Sequence, residues 1–133
     1  MKLDHVALIV SDMETSLDFY TRVLGLEVKR EFELSEEESH DLFQLSSPAR
    51  GVQLLMKEGM LELFEFKRGV ETKRFPTPMT NGLFHYALQI GRPIEAFVTQ
   101  VKGEGIPVYS IVRGNKTIYF IQDPDGVFIE VKE

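Results

Sequence analysis

The sequence predicts an α+β domain in which a βαβββ module occurs twice in tandem, the two copies forming an open, curved sheet. The segment His5–Val10 recurs as His85–Ile90, an offset of 85 − 5 = 80 residues. Each copy leads into an amphipathic helix that ends at a glycine. Each half then closes on a strand with a glutamate between two apolar residues, Leu61–Leu63 and Ile129–Val131. Self-similarity at a fixed spacing is typical of a repeated structural unit.

The composition fits one folded domain. The chain has 133 residues, is 43% hydrophobic, and carries a net charge of −6 from 15 basic and 21 acidic residues. No stretch approaches the roughly 18 apolar residues of a membrane span, and the N-terminus lacks the pattern of a signal peptide. We therefore expect a cytoplasmic protein without a membrane partner. The scattered positive charge also argues against nucleic-acid binding.

The absence of cysteine limits the possible chemistry. It excludes disulfides, thiolate zinc sites and a cysteine nucleophile. A transition-metal site would have to use imidazole and carboxylate donors. The histidines available are His5, His40 and His85.

The first module is predicted at about residues 1–66. After its first strand, a helix is expected at about residues 12–24, with Ser11 and Glu14 as a capping box and Gly25 as a left-handed C-terminal cap. The apolar face of this helix would consist of Met13, Leu17, Tyr20 and Leu24. The expected strands that follow are Leu26–Leu34, Val52–Lys57 and Met60–Phe66, the last two forming a hairpin.

An acidic segment, Ser35–Leu45, has no counterpart in the second half. Its pattern indicates either a short capped helix or an acidic loop. We interpret it as a surface excursion rather than as a lid over a ligand site. His40 lies within it and has no symmetric partner, so it is interpreted as a surface residue.

A linker is predicted at about residues 67–83, followed by the second module at about 84–133. Gly91-Arg92-Pro93 introduces a helix that ends near Gly103 and Gly105. The residues on its apolar side are Ile94, Phe97, Val98 and Val101. The remaining strands are expected at Val108–Arg113, Lys116–Gln122 and Val127–Lys132.

Strand alternation points to a set of possible metal ligands. Side chains alternate across a strand, so His5 and His85 point away from the more apolar face of their strands. By the same rule, Glu62 and Glu130 point away from the face that a helix would cover, whereas Glu65 has the opposite parity. A carboxylate removed from water costs several kcal/mol unless it is paired or metal-bound.

If the two halves pair about a pseudo-twofold axis, these four donors meet. Two imidazoles and two carboxylates suit one divalent ion of Ni, Co, Zn, Mn or Fe. Taken singly, each residue is more often structural or solvated than a ligand. Their recurrence at equivalent repeat positions favours the set His5, Glu62, His85 and Glu130.

The combined pattern resembles the vicinal oxygen chelate superfamily, which includes glyoxalase I, extradiol dioxygenases and bleomycin-resistance proteins. The resemblance lies in residues 4–12, 16–26, 84–88 and 123–130. It implies a glyoxalase-like barrel around a metal or ligand cavity, a small-molecule substrate and a homodimer. Glu62 resembles the second metal ligand of glyoxalase I, and the other three donors match its remaining ligands. Extradiol dioxygenases use only one carboxylate. Methylmalonyl-CoA epimerase, another member of the superfamily, usually carries Gln in place of Glu62.

Two positions depart from bacterial glyoxalase I. Ile9 and Phe66 stand where those enzymes usually carry an arginine and an asparagine that bind glutathione. The side chains expected to line the cavity are apolar or aromatic, which favours a smaller, less charged substrate. They are Ile9, Phe64, Phe66, Tyr119 and Phe128.

Three functions remain open at this point. The first is a metal-dependent lyase or isomerase of the glyoxalase type, in which Glu62 or Glu130 shuttles a proton between adjacent carbons of an enediolate. The second is a metal-free protein that sequesters a small molecule, as bleomycin-resistance relatives do. The third is an Fe(II) extradiol dioxygenase. The residues favour them in that order.

Overall fold

The computed structural model describes residues 1–71 and 82–133. The chain divides into two units, and the division falls between the two described ranges. The greater part of the predicted linker, about residues 67–83, therefore lies outside the described residues. No helix in the described ranges is long and apolar enough to span a membrane.

The first unit holds a four-stranded mixed sheet. Its strands are β1 (His5–Ile9), β2 (Glu27–Leu34), β3 (Ala49–Leu55) and β4 (Met60–Phe66), in the order β1-β4-β3-β2. β1 runs parallel to β4, and the other neighbours are antiparallel. Helix α1 (Met13–Asp18) continues into a π-helical turn, Phe19–Val23, and helix α2 (Glu36–Phe43) lies between β2 and β3 in the chain.

The second unit repeats this arrangement. It contains β5 (His85–Gln89), α3 (Ile94–Gly103), β6 (Val108–Arg113), β7 (Lys116–Gln122) and β8 (Phe128–Lys132). The strand order is β5-β8-β7-β6, with β5 parallel to β8. The predicted fold class is confirmed, since both units are βαβββ modules with open mixed sheets.

Helix α1 begins differently from the prediction. Asp12, not Ser11, is the N-cap, and its side chain accepts a 2.7 Å hydrogen bond from the backbone N–H of Thr15. The Ser11–Glu14 capping box is therefore wrong. Glu14 instead pairs with Arg50 of β3.

The π-helical turn changes which residues this helical segment buries. The N–H of Leu24 donates to the carbonyl of Phe19, five residues earlier, at 3.2 Å. The wider turn shifts the inward face, so Phe19 and Val23 are buried whereas Leu17 and Leu24 are only half-buried. Gly25, with φ +76°, has the predicted left-handed conformation.

The acidic segment forms a capped helix. Ser35 and Glu38 make a reciprocal capping box at the start of α2. Most of the helix is exposed, but Phe43 turns inward and meets Phe64 and Phe66 of β4 edge-on at 5.1 and 5.3 Å between ring centroids. The helix is thus attached to the sheet by an aromatic contact.

Alternate strand positions supply the core of each unit, as predicted. Leu61 and Leu63 of β4 are buried in the first unit, and Ile129 and Val131 of β8 are buried in the second. In the second unit, α3 buries Phe97, Val98 and Val101. The glutamates between the buried strand residues consequently lie on the opposite face of each sheet.

Candidate functional site

The first unit brings His5 and Glu62 together. β1 and β4 are parallel, and their register places Ala7 beside Glu62. His5 Nε2 lies 3.6 Å from Glu62 Oε2. The Glu62 side chain is only 13% exposed, so this carboxylate is largely withdrawn from water.

Asp4 holds the other side of the His5 ring. Its Oδ2 lies 2.9 Å from His5 Nδ1. This hydrogen bond, followed by the negative charge of Glu62, raises the pKa of His5 above its ordinary value. A carboxylate on Nδ1 leaves Nε2 as the atom that faces Glu62, which is the arrangement typical of a metal-binding histidine.

The second unit repeats the pair. His85 Nε2 lies 3.4 Å from Glu130 Oε2, and the Glu130 side chain is 15% exposed. Lys132 Nζ lies 3.1 Å from the other oxygen of Glu130. His85 Nδ1 is buried and has no hydrogen-bond partner within the described part of the chain. The surroundings of the two pairs therefore differ although the pairs themselves match.

In each pair an imidazole nitrogen faces a shielded carboxylate oxygen. Both are ligand types that first-row divalent metals accept. Within residues 1–71 and 82–133, no group of three or more His, Cys, Asp or Glu side chains is placed to hold a metal. Each unit thus presents two donors. His40 lies apart from these pairs, exposed on α2 with its Nδ1 3.6 Å from Asp41.

The structure places the expected lining residues of the first unit in different surroundings. Ile9 is half exposed on the face that carries His5. Phe64 and Phe66 are buried, because Phe43 covers both and Phe32 packs edge-on against Phe64. These two rings stabilise the first unit and are not open to a ligand.

Tyr119 does not share the face of Glu130. It pairs with Val131, whereas Glu130 pairs with Phe120, and directly paired residues point to the same side of a sheet. Tyr119, predicted to line the cavity, therefore lies on the face opposite Glu130. Phe120 takes that place, with its ring 5.2 Å from the His85 ring.

An aromatic surface surrounds His85. Phe84 and Phe128 are stacked at 5.7 Å, and Tyr109 lies 5.2 Å from Phe128. Phe84 and Tyr109 are about half exposed, so this surface is open to solvent. Phe128 was expected from the sequence. Phe120 was not, because its place beside Glu130 depends on the register between β7 and β8.

The sequence did not indicate a row of hydrogen-bonded polar side chains on the first sheet. Arg30 Nε donates to Gln53 Oε1 at 2.8 Å, and Gln53 Nε2 donates to Glu62 Oε1. Gln53 is 7% exposed although it is polar. The available signal was a polar residue between the apolar Val52 and Leu54 of the predicted strand Val52–Lys57.

The family model described as Glyoxalase/Bleomycin resistance protein/Dioxygenase superfamily matches residues 2–131. The chain belongs to this superfamily. The resemblance predicted from the sequence is thereby confirmed.

Curated relatives of the chain include lactoylglutathione lyases. A lactoylglutathione lyase of Salmonella typhimurium is 33% identical, covering 100% of this chain and 93% of that protein. A lactoylglutathione lyase of Neisseria meningitidis serogroup A is 31% identical, covering 98% and 88%. The chain is thus similar over its whole length to glyoxalase I-type enzymes.

A solved structure agrees with the fold. The glyoxalase family protein from Enterococcus faecalis has a TM-score of 0.74 and 26% identity, covering 99% of this chain and 97% of that one. The likeness extends over both βαβββ units.

Proposed function

We propose that this superfamily member is a divalent-metal-dependent lyase or isomerase of the glyoxalase type. The observation that carries the proposal is the repeated pair, His5 with Glu62 and His85 with Glu130, each with Nε2 facing a shielded carboxylate oxygen. Chance placement explains one such pair on a sheet. It does not explain the same pair at equivalent positions of both units.

The proposed ligands of one divalent ion are His5, Glu62, His85 and Glu130. The donor set fits this role, because both carboxylates are shielded from water and His5 is braced by Asp4 through its other nitrogen. A bound ion of this kind would act as a Lewis acid that polarises two neighbouring substrate oxygens. The ion is Ni, Co, Zn, Mn or Fe, the metals that accept these ligands.

One of the two glutamates would transfer the proton. A carboxylate oxygen of Glu62 or Glu130 removes a proton from the carbon next to the carbonyl and returns it to the neighbouring carbon. Withdrawal from water makes each carboxylate a stronger electrostatic partner than an exposed one. The histidines remain in place as fixed donors.

The substrate we propose is a small molecule with two adjacent oxygens and an apolar part. Ile9 offers no charge for binding glutathione, and Phe66 is buried. The half-exposed ring of Phe84, which lies against His85, and that of Tyr109, which lies against Phe128, would receive the apolar part of the substrate.

We further propose a cytoplasmic homodimer. β6 is an edge strand of its sheet, and Ile111 and Val112 on it are exposed, Val112 by 73%. Such an edge is usually protected by pairing or by cover from another element. Light scattering of the purified protein tests this, and a monomeric mass would contradict it.

Metal analysis combined with a turnover assay tests the proposed function. The purified protein is analysed for Ni, Co, Zn, Mn and Fe, stripped with a chelator, reloaded and assayed with methylglyoxal hemithioacetals of several thiols. The proposal expects stoichiometric metal and turnover that is lost with the chelator and restored by reloading.

The open aromatic surface beside His85 supports a second candidate, a metal-free protein that binds a small aromatic molecule. Saturable binding of such a ligand to chelator-treated protein, combined with no metal uptake, would favour this candidate over the enzyme.

A further inference from the structure

We infer that Gln53, held by Arg30, is a positioning residue that fixes the Glu62 carboxylate for metal binding. This inference rests on the proposed function. Its basis is a continuous row of polar side chains across all four strands of the first sheet. In strand order the row is His5 on β1, Glu62 on β4, Gln53 on β3 and Arg30 on β2.

Arg30 determines the orientation of the Gln53 amide. A guanidinium has donors and no acceptor, so the group facing Arg30 Nε at 2.8 Å must be the amide oxygen. The amide NH₂ group of Gln53 then has to face Glu62. Without Arg30, either end of the amide could turn toward the carboxylate, and its oxygen would repel the charge.

Because of Gln53, the two oxygens of Glu62 have different partners. Its Nε2 donates to Oε1, while Oε2 faces His5 Nε2 at 3.6 Å. With Oε1 occupied, Oε2 is the oxygen directed toward the imidazole and available as a ligand. Because Gln53 is 7% exposed, water competes little for this hydrogen bond.

The backbone of β2 is adapted to this arrangement. The register between β2 and β3 shifts between Val28 and Arg30, leaving Lys29 as an extra residue. Beyond this bulge, Arg30 lies directly opposite Gln53. Bulges redirect side chains and are frequent next to functional sites.

The second unit lacks the polar row. Phe120 lies opposite Glu130 where Gln53 lies opposite Glu62, and Tyr109 takes the place of Arg30. A role common to both sheets in folding would predict similar residues at both sets of positions. The difference indicates that the polar row serves Glu62 in particular.

Cobalt(II) binding tests the inference. Kd is measured by competition with a chelating dye, and the Co²⁺ absorption spectrum reports the ligand geometry. Gln53→Leu removes the donor to Glu62. Arg30→Met, at an exposed edge-strand position, removes the group that orients the amide, while the methionine side chain can keep an apolar contact with the Phe32 ring, which the guanidinium now overlies at 5.1 Å. Gln100→Leu, on the exposed side of α3, is the matched control.

We expect Gln53→Leu to raise the Kd for Co²⁺ by about 10-fold to 100-fold and to alter the spectrum, as loss of an outer hydrogen bond to a ligand does. Arg30→Met should change the Kd and the spectrum in the same direction as Gln53→Leu but to a smaller extent. Gln100→Leu should change neither. Wild-type Kd and spectrum in both Gln53→Leu and Arg30→Met would overturn the inference alone. If the wild-type protein binds no Co²⁺, the proposed function and the inference fail together. Should Gln53→Leu fail to fold, Arg30→Met decides the matter.

Discussion

At the residue scale, strand parity separates two carboxylates on one strand. Glu62 and Glu65 both lie on β4, but Glu62 faces His5 whereas Glu65 accepts a 3.0 Å hydrogen bond from the N–H of Met13. Alternation along the strand predicted that Glu62 and Glu65 point to opposite faces, and the structure agrees. The sequence could not distinguish Tyr119 from Phe120, because that choice depends on the register with β8.

This difference between the two glutamates gives a matched pair of variants. Glu62→Gln should lower metal content and reduce turnover by about 100-fold or more, because an amide neither binds the ion as a carboxylate does nor transfers a proton. Glu65→Gln keeps a side-chain oxygen for the Met13 N–H and should retain metal. Equal metal content in both variants, measured by elemental analysis, would remove Glu62 from the ligand set.

The ionisation of His5 provides a prediction about pH. Its pKa is raised by the hydrogen bond to Asp4 and then by the charge of Glu62. The stabilisation from protonated His5 is complete below the unfolded pKa and is lost as pH rises through the higher folded value. Metal binding requires the neutral ring, so affinity should fall as pH drops through that same folded pKa.

An NMR titration of the metal-free protein checks this expectation. The His5 midpoint should lie above the ordinary histidine value, and Asp4→Asn should lower it. A midpoint that Asp4→Asn leaves unchanged would show that Asp4 does not brace the ring.

At the scale of elements, the sequence predicted the hairpins and helix α3 well, because local signals determine them. The predicted strands Val108–Arg113 and Lys116–Gln122 agree with the structure, as does the start of α3 after Pro93. The sequence did not show contacts between distant positions. Arg50 binds Glu14, and Phe43 attaches α2 to β4.

The Phe32 ring of β2 lies directly against Gly51 of β3. A Cβ on Gly51 would overlap the ring of Phe32, which also packs against Phe64. Gly51→Ala should therefore lower the free energy of unfolding by about 1–3 kcal/mol, the usual cost of overpacking. Gly103→Ala, in α3 with open space around it, should not destabilise the protein. Urea unfolding of both variants is the measurement, and equal stabilities would contradict the packing argument.

At the scale of the whole molecule, the internal repeat gives each unit the same strand order and one His–Glu pair. Each unit supplies one His–Glu pair, but the first surrounds its pair with Asp4, Gln53 and Arg30, whereas the second surrounds its pair with aromatic rings. The internal repeat in the sequence was sufficient to predict the matching pairs. The differing surroundings arise from pairing between strands, which a single sequence does not display.

We propose that the two His–Glu pairs bind one metal ion. Titration of the metal-free protein with Co²⁺ or Ni²⁺ by calorimetry tests it most directly, with Glu62→Gln and Glu130→Gln titrated in parallel. The account predicts about one equivalent per chain and a loss of tight binding in either variant, because each pair supplies only part of the ligand set. Two equivalents per chain, tight binding that survives in both variants, or no binding by the wild-type protein would contradict it.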